Sequence, residues 1–96
     1  MTNAQELARA VQQEVRSIIM SIDINRAQAN AMLRIEAARE AFWKLEETDA
    51  RTGYFDHPFD HSNGLAPRKF LGVTVYPVDF DMPAPGWRIV NPLKAK

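Results

Sequence analysis

The sequence predicts a mainly α-helical protein with a small β part, and three stretches of the chain support this prediction. Residues 3–48 contain no proline or glycine and are rich in Ala, Leu, Glu, Gln and Arg, which favour helices. Residues 51–68 form a connector rich in aromatic and turn-forming side chains, and residues 69–96 hold two short β-prone runs. We therefore expect one structural unit: a long helix at 1–50, the connector, and a β-ribbon with a C-terminal tail.

The predicted helix has a clear beginning and a less distinct end. Asn3, followed by Glu6 three residues later, matches a capping box, and Thr2 with Gln5 is the alternative frame. Gly53 is the predicted terminator. An unbroken helix of about 46 residues would be about 70 Å long, at about 1.5 Å per residue.

Two apolar stripes lie on nearly opposite faces of this helix when it is drawn with a helical period. A lone helix cannot shield both stripes from water, so the helix either breaks or contacts different neighbours along its length. A break near residues 21–25, with Ser21 or Asp23 as a new N-cap, would give a helical hairpin. We favour the continuous helix, because no glycine or proline marks the break. The first stripe consists of Leu7, Val11, Val15, Ile18, Ile22, Ala29 and Leu33, and the second of Met20, Ile24, Ala31, Ile35, Ala38, Phe42 and Leu45.

Length and composition exclude several classes of protein. The 96 residues are enough for one small domain, and an apolar fraction of 46% is typical of a folded chain. The net charge is zero, with six basic and eight acidic residues in 1–50 and six and four in 51–96, which argues against a nucleic-acid surface. There is no cysteine and no apolar run long enough to span a membrane, and we expect no signal peptide, because the first residues lack a basic segment followed by an apolar run. We expect a cytoplasmic protein with no cofactor and no membrane partner.

The connector repeats the triplet Phe-Asp-His, beginning once at Phe55 and again at Phe59. The histidines, His57 and His61, and the neighbouring aspartates are residue types that bind divalent metals. Their spacing suits one face of a helix, but Pro58 disfavours a helix of more than one turn there. We therefore predict no metal site, and expect Phe55 and Phe59 to anchor the connector in apolar pockets.

Catalytic chemistry is not indicated by any motif. Asp56 with Asp60, and Asp79 with Asp81, could be regarded as carboxylate pairs, but as loop residues they are expected to face water. The sequence contains no glycine-rich phosphate loop, nucleophile elbow or zinc-binding helix signature. We predict a protein that is not an enzyme and has no catalytic residues.

Two β-strands are predicted near the C-terminus. Residues 69–76 alternate apolar side chains on both faces, and Gly72 within them suggests a bulge or a close backbone approach. Pro77 is expected to end the pairing or to mark an edge, and residues 87–90 form the second strand. The expected product is a two-stranded antiparallel β-ribbon.

Such a ribbon is marginally stable alone and needs a cover for its apolar face. One solution packs it on the chain's own helix through Phe42, Trp43 and Leu45. The other adds its strands to the sheet of a neighbouring subunit.

Residues 70–90 resemble short segments of bacteriophage virion proteins. The resemblance rests on Phe-Leu-Gly-Val-Thr-Val at 70–75, an acidic stretch leading to Met-Pro at 82–83, and Gly-Trp-Arg-Ile-Val at 86–90. It covers about a fifth of the chain and leaves the long helix unmatched. It implies a small structural component of a phage particle, without catalytic residues.

The leading hypothesis is therefore a structural or interaction protein that binds other protein subunits, identical or different, and is incorporated into an assembly such as a virion. Large aromatic side chains are typical anchors of such interfaces. The alternative is a small regulatory binding module, a helical hairpin with a ribbon, that inhibits or adapts a host enzyme or polymerase. The predicted interface residues are Leu7, Val11, Val15, Ile18, Ile22, Ile35, Phe42, Trp43, Phe55, Phe59, Phe70, Val73, Val75, Trp87 and Ile89.

Overall fold

A computed structural model describes residues 3–55 and 67–93. The predicted combination of a long N-terminal helix and a small β part is confirmed, but the two-stranded ribbon is replaced by a sheet of four mixed strands. The elements in chain order are α1 (Asn3–Ser21), α2 (Arg26–Met32), β1 (Arg34–Ala38), α3 (Arg39–Thr52), β2 (Arg68–Phe70), β3 (Val73–Val78) and β4 (Trp87–Val90).

The predicted continuous helix is wrong, and the chain instead breaks within the alternative region at residues 21–25. The new N-cap is Asn25 rather than Ser21 or Asp23. The Asn25 side chain accepts a hydrogen bond from the Gln28 backbone N–H at 2.8 Å, and the Gln28 side chain accepts one from the Asn25 backbone N–H at 3.0 Å. This reciprocal capping box satisfies two backbone donors at the start of α2. The Ser21 hydroxyl donates to the Ser17 carbonyl instead.

Replacing Asn25 with Ala should lower the free energy of unfolding by about 1 kcal/mol, because the first turn of α2 would lose its cap. Asp23→Ala is the matched control, because the neighbouring Asp23 is exposed and takes no part in the Asn25 capping box, and it should change stability by less than about 0.5 kcal/mol. Chemical denaturation followed by circular dichroism would measure both. Equal losses in the two variants would contradict the assignment of the cap.

Residues 34–38 were predicted to be helical, but they form the strand β1. Ile35 and Ala37 are fully buried, and they alternate with Arg34 and Glu36 on the other face of the sheet. This short run suits a helical stripe and a strand equally well, and helix propensity is a weak preference that tertiary pairing overrides. Pairing on both sides of β1, with β3 and with β4, therefore decides its conformation.

The sheet has the strand order β2-β3-β1-β4. β1 runs parallel to β3 and antiparallel to β4, and β2 pairs antiparallel with β3. The two predicted ribbon strands are therefore not neighbours, because β1 lies between them. The predicted ribbon pairing is wrong, because residues 34–38 leave the helix and pair with both strands.

The predicted strand at residues 69–76 is in fact a hairpin. Leu71 and Gly72 have φ angles of 52° and 85°, and two consecutive positive values are typical of the tight turns that join antiparallel strands. Gly72 thus makes a turn rather than a bulge. Pro77 does not end β3, since it pairs with Ala37 of β1, but β2 pairs with β3 only as far as Val75.

Helices cover one face of the sheet, and the hydrophobic core lies between this face and the helices. Leu7, Val11, Val15 and Ile18 of the first apolar stripe are buried, but in the chain's own core rather than against a neighbouring subunit, and Ile22 is 37% exposed. Met20, from the second stripe, is 80% exposed, and the other residues of that stripe lie in the α1–α2 connection, α2, β1 and α3. α3 ends at Thr52, and Gly53 follows with a φ of 68°, which confirms the predicted terminator. The largest fully buried side chains are those of Phe42, Phe70, Leu7, Ile18, Ile35, Leu45, Val11, Val15, Val73 and Val75.

The molecule is compact rather than elongated. Its Cα radius of gyration is 13.1 Å, close to the value of about 12.5 Å expected for a globular chain of this length. Its longest dimension is 39 Å. Within the described part of the chain, no helix has the length and apolar character needed to span a membrane.

Candidate protein interface

Most of the predicted interface residues lie in the chain's own core. Their apolar surface is already covered by intramolecular packing, so in this fold they are not available to a neighbouring subunit. Of the remaining residues, Ile22 and Trp43 are each 37% exposed, Trp87 and Ile89 are half-buried, and Phe59 lies outside the described residues. The buried set is Leu7, Val11, Val15, Ile18, Ile35, Phe42, Phe55, Phe70, Val73 and Val75.

The edge of the sheet at β2 is paired with the chain itself at its Phe70 end. Just beyond β2, the backbone N–H of Leu71 donates to the carbonyl of Tyr54 at 2.9 Å, and Phe55 forms an antiparallel bridge with Phe70. The Phe55 and Phe70 rings meet edge-to-face, with centroids 5.1 Å apart. Phe55 thus anchors the beginning of the connector as predicted, and it also shields this edge.

The edge at β4 is different, because in residues 3–55 and 67–93 the only strand that pairs with β4 is β1. Antiparallel strands alternate between residues whose backbone groups bond across the pair and residues whose groups point away. The N–H of Ala38 bonds to the carbonyl of Gly86 at 2.9 Å, and this sets the phase of the alternation. Counting from this pair, Arg88 bonds towards β1, whereas the backbone groups of Trp87 and Ile89 point outward. β4 therefore presents a row of hydrogen-bonding groups to a further strand.

The beginning of β4 is held rigidly against α3. Gly86 has a φ of 88°, and a Cβ atom at this position would lie 2.8 Å from the Cβ of Ala41. Only glycine fits both the backbone conformation and this close approach. The N–H of Gly86 also bonds to the carbonyl of Pro83 at 2.9 Å, which closes the turn before the strand.

The end of β4 is fixed by a polar side chain. The Asn91 side chain is buried, donates to the Glu14 carboxylate of α1 at 2.8 Å and accepts from the backbone N–H of Leu93 at 2.9 Å. With both ends held, the outward backbone groups of β4 have a defined geometry. Such an edge can accept a strand with little loss of conformational entropy.

Two exposed apolar side chains flank this edge. Phe80 is 51% exposed, and the guanidinium of Arg88 lies 5.6 Å from its ring centroid. Leu93, just beyond the end of β4, is 48% exposed. We call β4 together with Phe80 and Leu93 the β4 edge. It combines main-chain hydrogen-bonding groups with apolar contact surface, the two features that strand addition uses.

A buried ion pair joins α3 to β2, and sequence reasoning missed it. The Arg68 guanidinium donates to the Glu46 carboxylate, and the two side chains are only 7% and 2% exposed. The guanidinium also lies 4.7 Å from the ring centroid of Phe55. The sequence did contain a sign that Glu46 is buried, because Glu46 lies one helical turn after the apolar Phe42, on the same face of the helix. The pair joins two elements of the core, α3 and β2.

The remaining candidate chemistry is limited. Asp79 forms an exposed ion pair with Arg39 at 3.0 Å, as expected for a loop acid. Among the residues that the structure describes, no group of three or more metal-ligating side chains occurs. His57, His61, Asp56 and Asp60 lie outside these residues, so the predicted absence of a metal site there stays a prediction.

Comparison with known proteins adds no relationship to this picture. No family model matches the chain, and neither curated proteins nor solved structures provide a match.

Proposed function

We propose that this protein is a non-enzymatic interaction subunit that joins a multi-subunit assembly by strand addition at the β4 edge. The observation that carries the proposal is the outward row of backbone groups on β4, with exposed Phe80 beside Arg88 and exposed Leu93 just after the strand. A free strand edge is a template for pairing with another chain, and main-chain hydrogen bonds supply the affinity.

The contrast between the two sheet edges supports this choice. The β2 edge is paired with Tyr54 and Phe55 of the same chain at its Phe70 end, whereas no strand among the described residues pairs with the outer side of β4. Strand addition at β4 takes the place of the binding mode predicted from the sequence, in which the long helix lies against a neighbouring subunit. The apolar face of α1, with Leu7 and Val11, is buried internally and has no surface left to offer.

The kind of assembly is proposed from the resemblance of residues 70–90 to segments of bacteriophage virion proteins. Those residues contain β3, the acidic loop and β4, so the segment that carries the resemblance includes the proposed contact surface. The proposed partners are protein subunits, with no nucleic acid, membrane or cofactor involved. The compact fold favours a second candidate, a small regulatory binding module that functions as a monomer until it meets its target.

Light scattering combined with circular dichroism on the purified chain tests this proposal. We expect a cooperative thermal transition, because the core is complete, together with an increase in mass as the protein concentration rises. A compact monomer at every concentration would contradict the assembly proposal and favour the regulatory module. Loss of the cooperative transition would contradict the self-sufficient core on which both candidates depend.

A further inference from the structure

We infer that the β4 edge binds the β4 strand of a second copy of this chain, antiparallel, with the twofold axis at Ile89. The inference rests on the proposed function and identifies the partner and the register. The two sheets would then join through their β4 strands into one continuous eight-stranded sheet. Like all isologous contacts, this one needs a surface that is complementary to itself.

The ends of the strand limit the register. Gly86 has a positive φ and forms a turn, so the extended backbone begins at Trp87. β4 spans Trp87–Val90, and the residue before a proline is restricted to extended conformations, so Asn91 can lengthen the stretch available for pairing to 87–91. The middle of this stretch is Ile89. A twofold axis at Ile89 pairs all five positions, whereas an axis at Arg88 would require the turn residue Gly86 to pair.

Hydrogen bonding and charge select the same register. Ile89 has outward backbone groups, so Ile89 of each copy can exchange both hydrogen bonds with Ile89 of the other. Arg88 then lies opposite Val90 of the second copy. An axis at Arg88 would place two arginines directly opposite each other, and like charges in such a pair are destabilising.

The side chains on each face fit this arrangement. Ile89 and Trp87 lie on the same face as the buried Ile35 and Ala37, so Ile89 would meet Ile89 of the second copy beside the core. On the other face, Arg88 keeps its hydrogen bond to Glu36 at 2.6 Å and remains in water. No described side chain on β4 has to leave an existing partner.

Single-cysteine cross-linking tests the register directly, because the chain contains no cysteine. Opposite residues of a hydrogen-bonded antiparallel pair have Cα atoms about 5.5 Å apart, within the range that a disulfide spans. Ile89→Cys should therefore give a cross-linked dimer under mild oxidation. Arg88→Cys is the register control, and Lys69→Cys, exposed on β2, is the control for the opposite edge. Each variant is oxidised at a concentration where the wild-type chain associates.

The expected result is a cross-linked fraction for Ile89→Cys that is severalfold higher than for either control. Dominant cross-linking through Arg88→Cys would overturn the register. Association of the wild type with no cross-link above the control level at either β4 position would overturn the β4 pairing but leave the interaction subunit intact. A wild-type chain that stays monomeric would overturn the inference and the proposed assembly function together.

Ile89→Pro provides an independent check. The N–H of Ile89 points away from β1, so proline at this position removes a donor to the second copy without removing a β1 hydrogen bond. We expect loss of the dimer with a retained circular dichroism spectrum. A folded Ile89→Pro variant that still dimerises would contradict the inference.

Discussion

Arg68→Met should destabilise the protein by about 3–5 kcal/mol, because it leaves the Glu46 carboxylate buried without its partner charge. Glu46 is only 2% exposed at its side chain, and its second carboxylate oxygen has no hydrogen-bond partner among the described residues. Glu46→Leu should cost a similar amount, since it leaves the Arg68 guanidinium buried and without its carboxylate partner.

The double variant Glu46→Leu with Arg68→Met should be about as stable as the wild type, or more stable by up to about 4 kcal/mol. Replacing both charges with apolar side chains of similar size removes the desolvation cost of the pair. Arg39→Met is the matched control, because its ion pair with Asp79 is exposed, and it should cost less than about 1 kcal/mol. Denaturant unfolding of the wild type, the two single variants and the double variant gives the coupling free energy between Glu46 and Arg68 as a double-mutant cycle. Arg39→Met is measured beside them as the control. If Arg68→Met costs no more than Arg39→Met, the pair is not buried as described.

Phe70→Ala should also destabilise the protein by about 3–5 kcal/mol, because it removes the centre of a buried aromatic cluster. The Phe70 ring is fully buried and contacts the rings of Tyr54 and Phe55, with centroids 5.4 Å and 5.1 Å away. Its loss would open a cavity beneath β2 and release the beginning of the connector. Phe70→Leu keeps most of the apolar volume and should cost about 1–2 kcal/mol.

Phe80→Ala is the matched control for this prediction. The Phe80 side chain is 51% exposed, so its removal should change stability by less than about 0.5 kcal/mol. Both variants should be compared by denaturant unfolding at a concentration low enough to keep the chain monomeric, because Phe80 belongs to the proposed interface. Similar losses for the two phenylalanines would contradict the division between core and interface residues.

These experiments separate the stability of the fold from the association of its subunits. The Glu46–Arg68 pair and Phe70 hold α3, β2 and the connector together and should affect unfolding at every concentration. Ile89 should affect association mainly. A variant that lowers both would show that the β4 edge and the core are coupled.

The local features of this chain could be predicted from its sequence. The end of α3 before Gly53 and the shared face of Leu7, Val11 and Val15 follow from backbone freedom and helical period. The predicted capping box of Asn3 and Glu6 stays a prediction, because α1 is described only from Asn3 onward. The reciprocal cap of Asn25 and Gln28 was equally readable, because Asn followed by Gln three residues later is a capping-box signal. Each of these features depends on neighbours only a few residues apart.

Only the tertiary structure decided what residues 34–38 and the two C-terminal strands become. Ile35 and Ala37 fit a helical stripe or a strand equally well, and the choice depends on β3 and β4, about 40 to 55 positions further along the chain. The candidate interface has the same dependence. Once β1 enters the sheet, the chain buries most of the residues predicted to bind partners, although Met20 and Ile22 of the two stripes stay exposed. The candidate surface that remains is β4. Among the described residues this strand pairs with β1 on one side only, so the backbone hydrogen-bonding groups on its other side have no strand partner.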